Sequence, residues 1–206
     1  MKAQHLAIKK AVDSLTHNQQ EKIEAFPKKT FKCLKLNDGS TYYGQVQQIL
    51  PLQFKPDTTH SFPAGFRKHT LNKNFSSGSG VEYDKDGSTT NLIKEETNKN
   101  EPLFVEDLTL VSDEYKDKIQ TIRHGFGIQI YANGQGRYAG EWLLNKKTGE
   151  GHMVYTDGSE YRGGLVNGVK HGYGCYIWPK QASDSSHGHI YIGNWKNGMM
   201  QGEGKF

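Results

Sequence analysis

The chain has 206 residues, 26 basic and 22 acidic, for a net charge of +4, too mild a balance to mark a nucleic-acid protein on charge alone. Its 24 glycines, 11 tyrosines, 9 phenylalanines and 3 tryptophans stand against a hydrophobic content of 34%, so glycine and aromatic rings replace much of the aliphatic core expected of an α/β enzyme. No apolar run approaches the ~18 residues of a membrane span and no signal-peptide core follows Met1; two distant cysteines, Cys33 and Cys175, exclude a disulfide scaffold and point to a reducing, intracellular compartment.

Charge and glycine divide the chain into three zones. Residues 1–36 carry a net +5, residues 37–122 a net −4 and residues 123–206 a net +3, and 18 of the 24 glycines lie in the last zone. In the first, Ile8, Val12, Leu15 and Ile23 recur at helical spacing, with Gln19 as a polar interruption, and Pro27 ends the run. The pattern predicts an N-terminal amphipathic helix over 1–27. It would either dock onto a partner or cap one end of the protein's own sheet. Lys2, Lys9, Lys10 and Lys22 are too spread out for the dense basic face of an interfacial helix. Across residues 28–122, the stretches 47–77 and 88–101 show no sustained period and are expected to be long irregular loops. Residues 103–122 regain apolar content and suggest a short strand and a short helix.

The third zone, 123–206, is self-similar. Tyr138-x-Gly140-x-Trp142 recurs as Tyr161-x-Gly163-x-Leu165 and as Tyr191-x-Gly193-x-Trp195. Gly149-x-Gly151 recurs as Gly172-x-Gly174 and Gly202-x-Gly204, and earlier as Gly125-x-Gly127. The spacing is 23 residues between the first two units and 30 between the next two, with the extra seven falling in Lys180–His189. The template reaches back: Asp38-Gly39-Ser40-x-Tyr42-x-Gly44 overlays Asp157-Gly158-Ser159-x-Tyr161-x-Gly163, and Gly78-Ser79-Gly80 with Asp86-Gly87-Ser88 forms a further half-unit. The two loops therefore read as insertions into degenerate copies.

Each unit reads as two strands. Asp157-Gly158 and the Asn-Gly pairs at Asn167 and Asn197 are hairpin signals, satisfied by type I′ turns with positive φ at both central residues. Around them the period is 2, so that Tyr138, Gly140 and Trp142 share a face, as do Gly149, Gly151, Met153 and Tyr155. Glycine weakens a strand unless something needs the space, and here it leaves room for rings from neighbouring strands. The expected fold is mostly β: a single-layer antiparallel meander of hairpins, with the N-terminal helix and long irregular insertions.

Tyr-x-Gly-x-Trp, Asn-Gly, Gly-x-Gly and Asp-Gly at this spacing resemble the MORN repeat. Leu165 and Val46 stand where that repeat usually has Trp, and Lys180 replaces the turn Asp. The resemblance assigns the repeat core to Tyr138, Gly140, Trp142, Gly149, Gly151, Tyr155, Tyr161, Gly163, Gly172, Gly174, Trp178, Tyr191, Gly193, Trp195, Gly202 and Gly204. It implies a non-catalytic binding or scaffolding array. Such arrays occur in radial spoke heads and other axonemal proteins, in junction proteins that touch membranes, in cytoskeletal rings and beside enzyme domains. The implied role is structural, binding other proteins in a cytoskeletal assembly, above all a ciliary axoneme and its radial spoke heads. The alternative is a peripheral adaptor for membranes or acidic phospholipids. The strand Gly202, Glu203, Gly204, Lys205, Phe206 is expected to lie uncovered at the sheet edge and to pair with another protein, since an open edge exposes unpaired N–H and C=O groups.

No catalytic, metal or cofactor site is expected. His187-x-His189 lacks partners at ligand spacing. Glu82-x-Asp84-x-Asp86-Gly87 hints at a calcium loop but has Ile93 where the closing Glu is needed. Cys175 alternates into a strand and reads as packing. A net +3 over the tail is weak for stacking single-stranded nucleic acid, and none is expected as a partner.

Overall fold

The computed structural model describes residues 31–54, 64–67, 102–132, 136–179 and 188–206. The helix expected over 1–27, the half-unit at Gly78–Ser88 and the loop 88–101 lie outside these residues, as do 55–63 of the first loop and residues 180–187. The chain divides into two units, one comprising the residues up to Gln47 together with Ile122–Phe206, the other Gln48–Thr121.

The first unit is an open antiparallel sheet of consecutive hairpins. Its strands are β1 (Phe31–Lys35), most of β2 (Thr41–Leu50), β5 (Gln120–Ile130), β6 (Arg137–Leu143), β7 (Lys146–Val154), β8 (Glu160–Val166), β9 (Val169–Ile177), β10 (Ile190–Lys196) and β11 (Met199–Lys205). They run in the order β11-β10-β9-β8-β7-β6-β5-β2, with β1 also paired to β2. The copy around Asp38 thus belongs to the same sheet, as its overlay on Asp157 predicts, and its β2 stands next to β5. No helix occurs among the described residues of the array.

The register explains the glycines. Gly127 faces Gly140, which faces Gly151, then Gly163, Gly174, Gly193 and Gly204 in turn. Gly44 lies against Gly127 at the other end of this row. A glycine stripe therefore crosses eight strands, and four tyrosines lie on it, each over two glycines. Tyr42 covers Gly44 and Gly127, Tyr138 covers Gly140 and Gly151, Tyr161 covers Gly163 and Gly174, and Tyr191 covers Gly193 and Gly204. Any Cβ in the stripe would collide with a ring or a neighbouring backbone. Each hydroxyl then donates to the carbonyl three residues on: Tyr42 to Gln45 at 2.6 Å, Tyr138 to Glu141 at 2.9 Å, Tyr161 to Gly164 at 2.8 Å and Tyr191 to Asn194 at 3.2 Å. Burying a phenol is tolerable because its one polar atom is satisfied.

The first glycine of each Gly-x-Gly pair has a different task. Gly125, Gly149, Gly172 and Gly202 all have φ between +57° and +87°, where an L side chain is strained. Three of the five strand pairs from β6 to β11 shift register beside Gly149, Gly172 and Gly202: β6–β7, β8–β9 and β10–β11. These are β-bulges. Alternation alone had assigned Gly149, Gly172 and Gly202 to ring accommodation. Space is no constraint at Gly172, where an added Cβ would meet nothing within 4 Å.

One turn assignment also changes. Asn167-Gly168 and Asn197-Gly198 have positive φ at both residues, as type I′ turns require. At Asp157-Gly158 only the glycine does. There Gly158 N–H donates to Tyr155 O and Tyr155 N–H to Ser159 O, and Asp157 Oδ1 accepts from Ser159 N and Oγ. This is a three-residue loop with a G1 bulge rather than a I′ turn, stabilised by the Asp side chain. Asp38–Ser40 repeats every one of these bonds.

In the second unit Ile49 and Leu50 of β2 pair with β4 (Leu103–Val105), and β4 pairs with β3 (Phe66–Arg67). A single helical turn, α1 (Asp113–Lys116), and a 3-10 turn at Leu52–Phe54 complete it. Leu50, Phe66, Leu103, Val105 and Val111 form its core. The expected irregular stretch 47–77 is therefore ordered at 47–54 and 64–67, because Ile49, Leu50 and Phe66 are buried apolar residues that need a partner strand.

Candidate functional site

One face of the first unit gathers nearly all of the predicted repeat core. Tyr42, Val46, Tyr138, Trp142, Tyr161, Leu165, Tyr191 and Trp195 form one buried cluster, with Met153, Tyr155, Tyr176 and Trp178 packed against it. Trp142 and Trp195 each wedge edge-on between two tyrosines. Trp142 meets Tyr42 at 5.5 Å and Tyr138 at 5.1 Å; Trp195 meets Tyr161 at 5.5 Å and Tyr191 at 5.4 Å. Their indole N–H groups donate at 3.2 Å to Gly127 O and Gly174 O. Leu165 and Val46, the two departures from Trp, are buried in the same cluster.

Alternation did not bring out the cations on this face. Lys170 Nζ lies 4.3 Å from the Tyr176 ring, 4.4 Å from Trp195, 5.6 Å from Tyr161 and 6.0 Å from Tyr155. Lys147 Nζ lies 4.9 Å from Tyr131 and 5.2 Å from Tyr138, and hydrogen-bonds the Tyr131 hydroxyl. Arg123 stacks 4.2 Å over Trp142, with its guanidinium donating to Gln129 Oε1 at 2.6 Å and to Asn145 O at 3.2 Å. All three sit two residues before the first glycine of a Gly-x-Gly pair, 24 and 23 residues apart. That spacing was the available signal. Met200 holds the fourth such position.

Each repeat also anchors the cation of the one before it. The turn amides of Asn145, Gly168 and Gly198 donate to the carbonyls of Arg123, Lys147 and Lys170 at 3.0, 2.8 and 2.9 Å. Burial lowers the Lys170 pKa, and burial followed by repulsion from Arg123 lowers that of Lys147 to about 8. Desolvation likewise raises Tyr155 to about 12. Where Lys170 has Tyr176 and Trp195, the preceding unit has Met153 and Leu165 at the equivalent positions, so Lys147 meets fewer rings.

An open cleft of about 670 Å³ lies at the Arg123 end of this face. Lys35, Leu36, Asn37 and Asp38 form one side, and Asn145, Lys146, Lys147, Asn167 and Gly168 the other, with Arg123, Gln129, Tyr131 and Trp142 also lining it.

The opposite face carries a smaller buried apolar cluster of Phe126, Ile128 and Ala139 with Ile130 against it, and beside Ala139 a polar group centred on His152. His152 is buried and hydrogen-bonds Glu160 at 2.9 Å, which also pairs with Arg162 at 3.0 Å. Of the predicted edge strand, Gly202–Lys205 fall in β11 and Phe206 lies just beyond it; Gly204 and Lys205 pair with β10, and all five residues are exposed. Phe206 stacks on Trp178 at 5.6 Å. Among the described residues no group of three or more His, Cys, Asp or Glu is placed to hold a metal, and none of their helices is long and apolar enough to cross a membrane.

Residues 120–136, 138–160, 161–183 and 191–206 match the MORN repeat family. A 69-residue stretch is 39% identical to alsin of Rattus norvegicus and of Homo sapiens, covering 34% of this chain and 4% of theirs. A 68-residue stretch is 38% identical to MORN repeat-containing protein 3 of Xenopus laevis, covering 32% of this chain and 26% of that protein. The chain thus spans only a small part of the curated relatives it matches. MORN repeats suggest a module for protein interaction or membrane binding, and proteins built of them are generally non-catalytic.

Proposed function

We propose that the protein is a non-catalytic scaffold that binds other proteins through its MORN sheet in a cytoskeletal assembly, a ciliary axoneme and within it a radial spoke head. The observation that carries the binding role is the repeated aromatic and cationic face. Its rings hold the sheet together, while Arg123 and Lys147 open onto a cleft. The MORN resemblance supplies the axonemal assignment. The test is an endogenously tagged chain followed through detergent extraction of cilia. Retention in the axoneme, with cross-links from β11 or the cleft to axonemal subunits, is the expected result. A chain that washes out with the soluble fraction would sink the axonemal reading.

The second reading, an adaptor for acidic phospholipid, is favoured by Lys35 and Lys146, both exposed beside the cleft. Flotation with phosphatidylserine vesicles separates the two, since a scaffold stays at the bottom of the gradient.

A further inference from the structure

The cleft beside Arg123 has more structure than a basic surface. Four cations line it, Lys35, Arg123, Lys146 and Lys147, against one carboxylate, Asp38. Asp38 is turned to its own loop, accepting from Ser40 N at 2.8 Å and Ser40 Oγ at 2.5 Å. Arg123 and Lys147 are fixed on rings at one end of their side chains' reach, while Lys35 and Lys146 are exposed. Trp142, Tyr131 and Leu36 add apolar wall, and Asn37, Asn145 and Asn167 add amides that can both donate and accept. The volume, about 670 Å³, lies within the roughly 300–1,000 Å³ of ligand sites.

We infer that this cleft docks an acidic segment of a partner protein, a Glu/Asp-rich peptide whose carboxylates meet Lys35, Lys146 and Lys147 and whose backbone meets the asparagine amides. The inference rests on the protein-binding reading above and specifies its site and the partner's chemistry. Charge complementarity selects acid over base, since a basic peptide would face a net surplus of three positive charges. Concavity selects a peptide over a bilayer. A flat lipid surface reaches the exposed Lys35 and Lys146 but not the ammonium of Lys147, held against Tyr131 and Tyr138. A single compact anion would leave the amides and the Trp142 wall unused.

Lys147 gives the binding a signature. Its pKa is lowered to about 8 by burial and by Arg123, and its other neighbours are the tyrosines Tyr131 and Tyr138. A bound carboxylate favours the charged amine, so affinity should fall as the pH rises through about 8.

The experiment is fluorescence anisotropy on the full chain with a labelled Glu/Leu peptide, its Gln/Leu counterpart as control, and phosphatidylserine vesicles in parallel. The acidic peptide should bind at least about tenfold more tightly than the neutral one. Reversing the two exposed charges together, Lys35→Glu with Lys146→Glu, should weaken it by about tenfold or more, whereas Lys196→Glu, outside the cleft, should change it less than about twofold. Equal binding by the reversed variant, or vesicle binding without peptide binding, would overturn the inference. A cross-linked protein partner that binds the reversed variant as well as the original would overturn the cleft assignment alone, leaving the scaffold reading in place.

Discussion

The two units build their cores by different means. In the array, a handful of rings lie on a glycine stripe, each serving two strands, so the main core is a row of rings that repeats along the sheet. In the unit Gln48–Thr121, aliphatic side chains with one phenylalanine meet across short strands: Leu50, Phe66, Leu103, Val105 and Val111. The first design depends on position. Rings carry so much area, roughly 150–250 Å² each, that few are needed, but the glycine beneath each must stay a glycine. The second depends on volume alone, and other apolar residues of similar size could fill it.

Substitutions can break or sharpen that contrast. The largest loss is expected at Trp142, wedged between two tyrosines and 1% exposed: Trp142→Ala should cost about 3–5 kcal/mol in denaturant melts. Trp195→Ala should cost somewhat less, because only β11 lies beyond its strand; no loss in either variant would mean the rings are a binding surface and not a core. Leu103→Ala, 1% exposed in the aliphatic core, should cost about 2–4 kcal/mol, and Leu103→Met should restore most of it. No such rescue is expected in the array.

Glycine substitutions sharpen the point. Gly151→Ala would place a methyl 2.5 Å from the Tyr138 ring and 3.0 Å from Leu165 Cδ1, an overpacking worth about 1–3 kcal/mol. Gly172→Ala meets open space and pays only for its left-handed backbone, about 1 kcal/mol. If thermal melts rank these two in the opposite order, the ring-over-glycine account is wrong. Tyr161→Phe removes one hydroxyl and strands the Gly164 carbonyl, with an expected loss near 1 kcal/mol.

The smallest effect is in pH. Burial lowers the His152 pKa, Glu160 opposing and Arg162 and Arg137 adding to it. The unfolded chain therefore takes up the proton more readily than the folded one, so stability should fall as the pH drops below about 6.5. His152→Gln should flatten that slope. An unchanged slope would show that the neutral imidazole contributes nothing.

Much of the array was legible because its chemistry is periodic. Tyr138, Tyr161 and Tyr191, each with a glycine two residues on, recur once per unit, and a ring over a glycine pair needs both in register. Asp38–Gly44 could be read as a further copy on the same ground. The cations were just as periodic, yet alternation gave no reason to read Arg123, Lys147 and Lys170 together. Their function depends on rings from neighbouring strands. In the second unit the short strand and short helix expected in 103–122 are present as β4 and α1, but what they pack against was illegible for the opposite reason. Leu50, Phe66 and Leu103 are far apart in the chain, and nothing local distinguishes a buried Phe66 from a loop phenylalanine.

The sequence by itself determined the open antiparallel sheet of consecutive hairpins and the row of rings, since period 2, turn residues and a 23-residue repeat leave little freedom in how such strands pair. Only the tertiary structure decided which glycines make space and which make bulges. It also decided that Asp157-Gly158 closes a three-residue loop, that lysines dock on rings, and that a cationic cleft opens beside Trp142. Those outcomes depend on the atoms that a neighbouring strand brings within a few ångströms, and strand-to-strand distance is not written in any one strand.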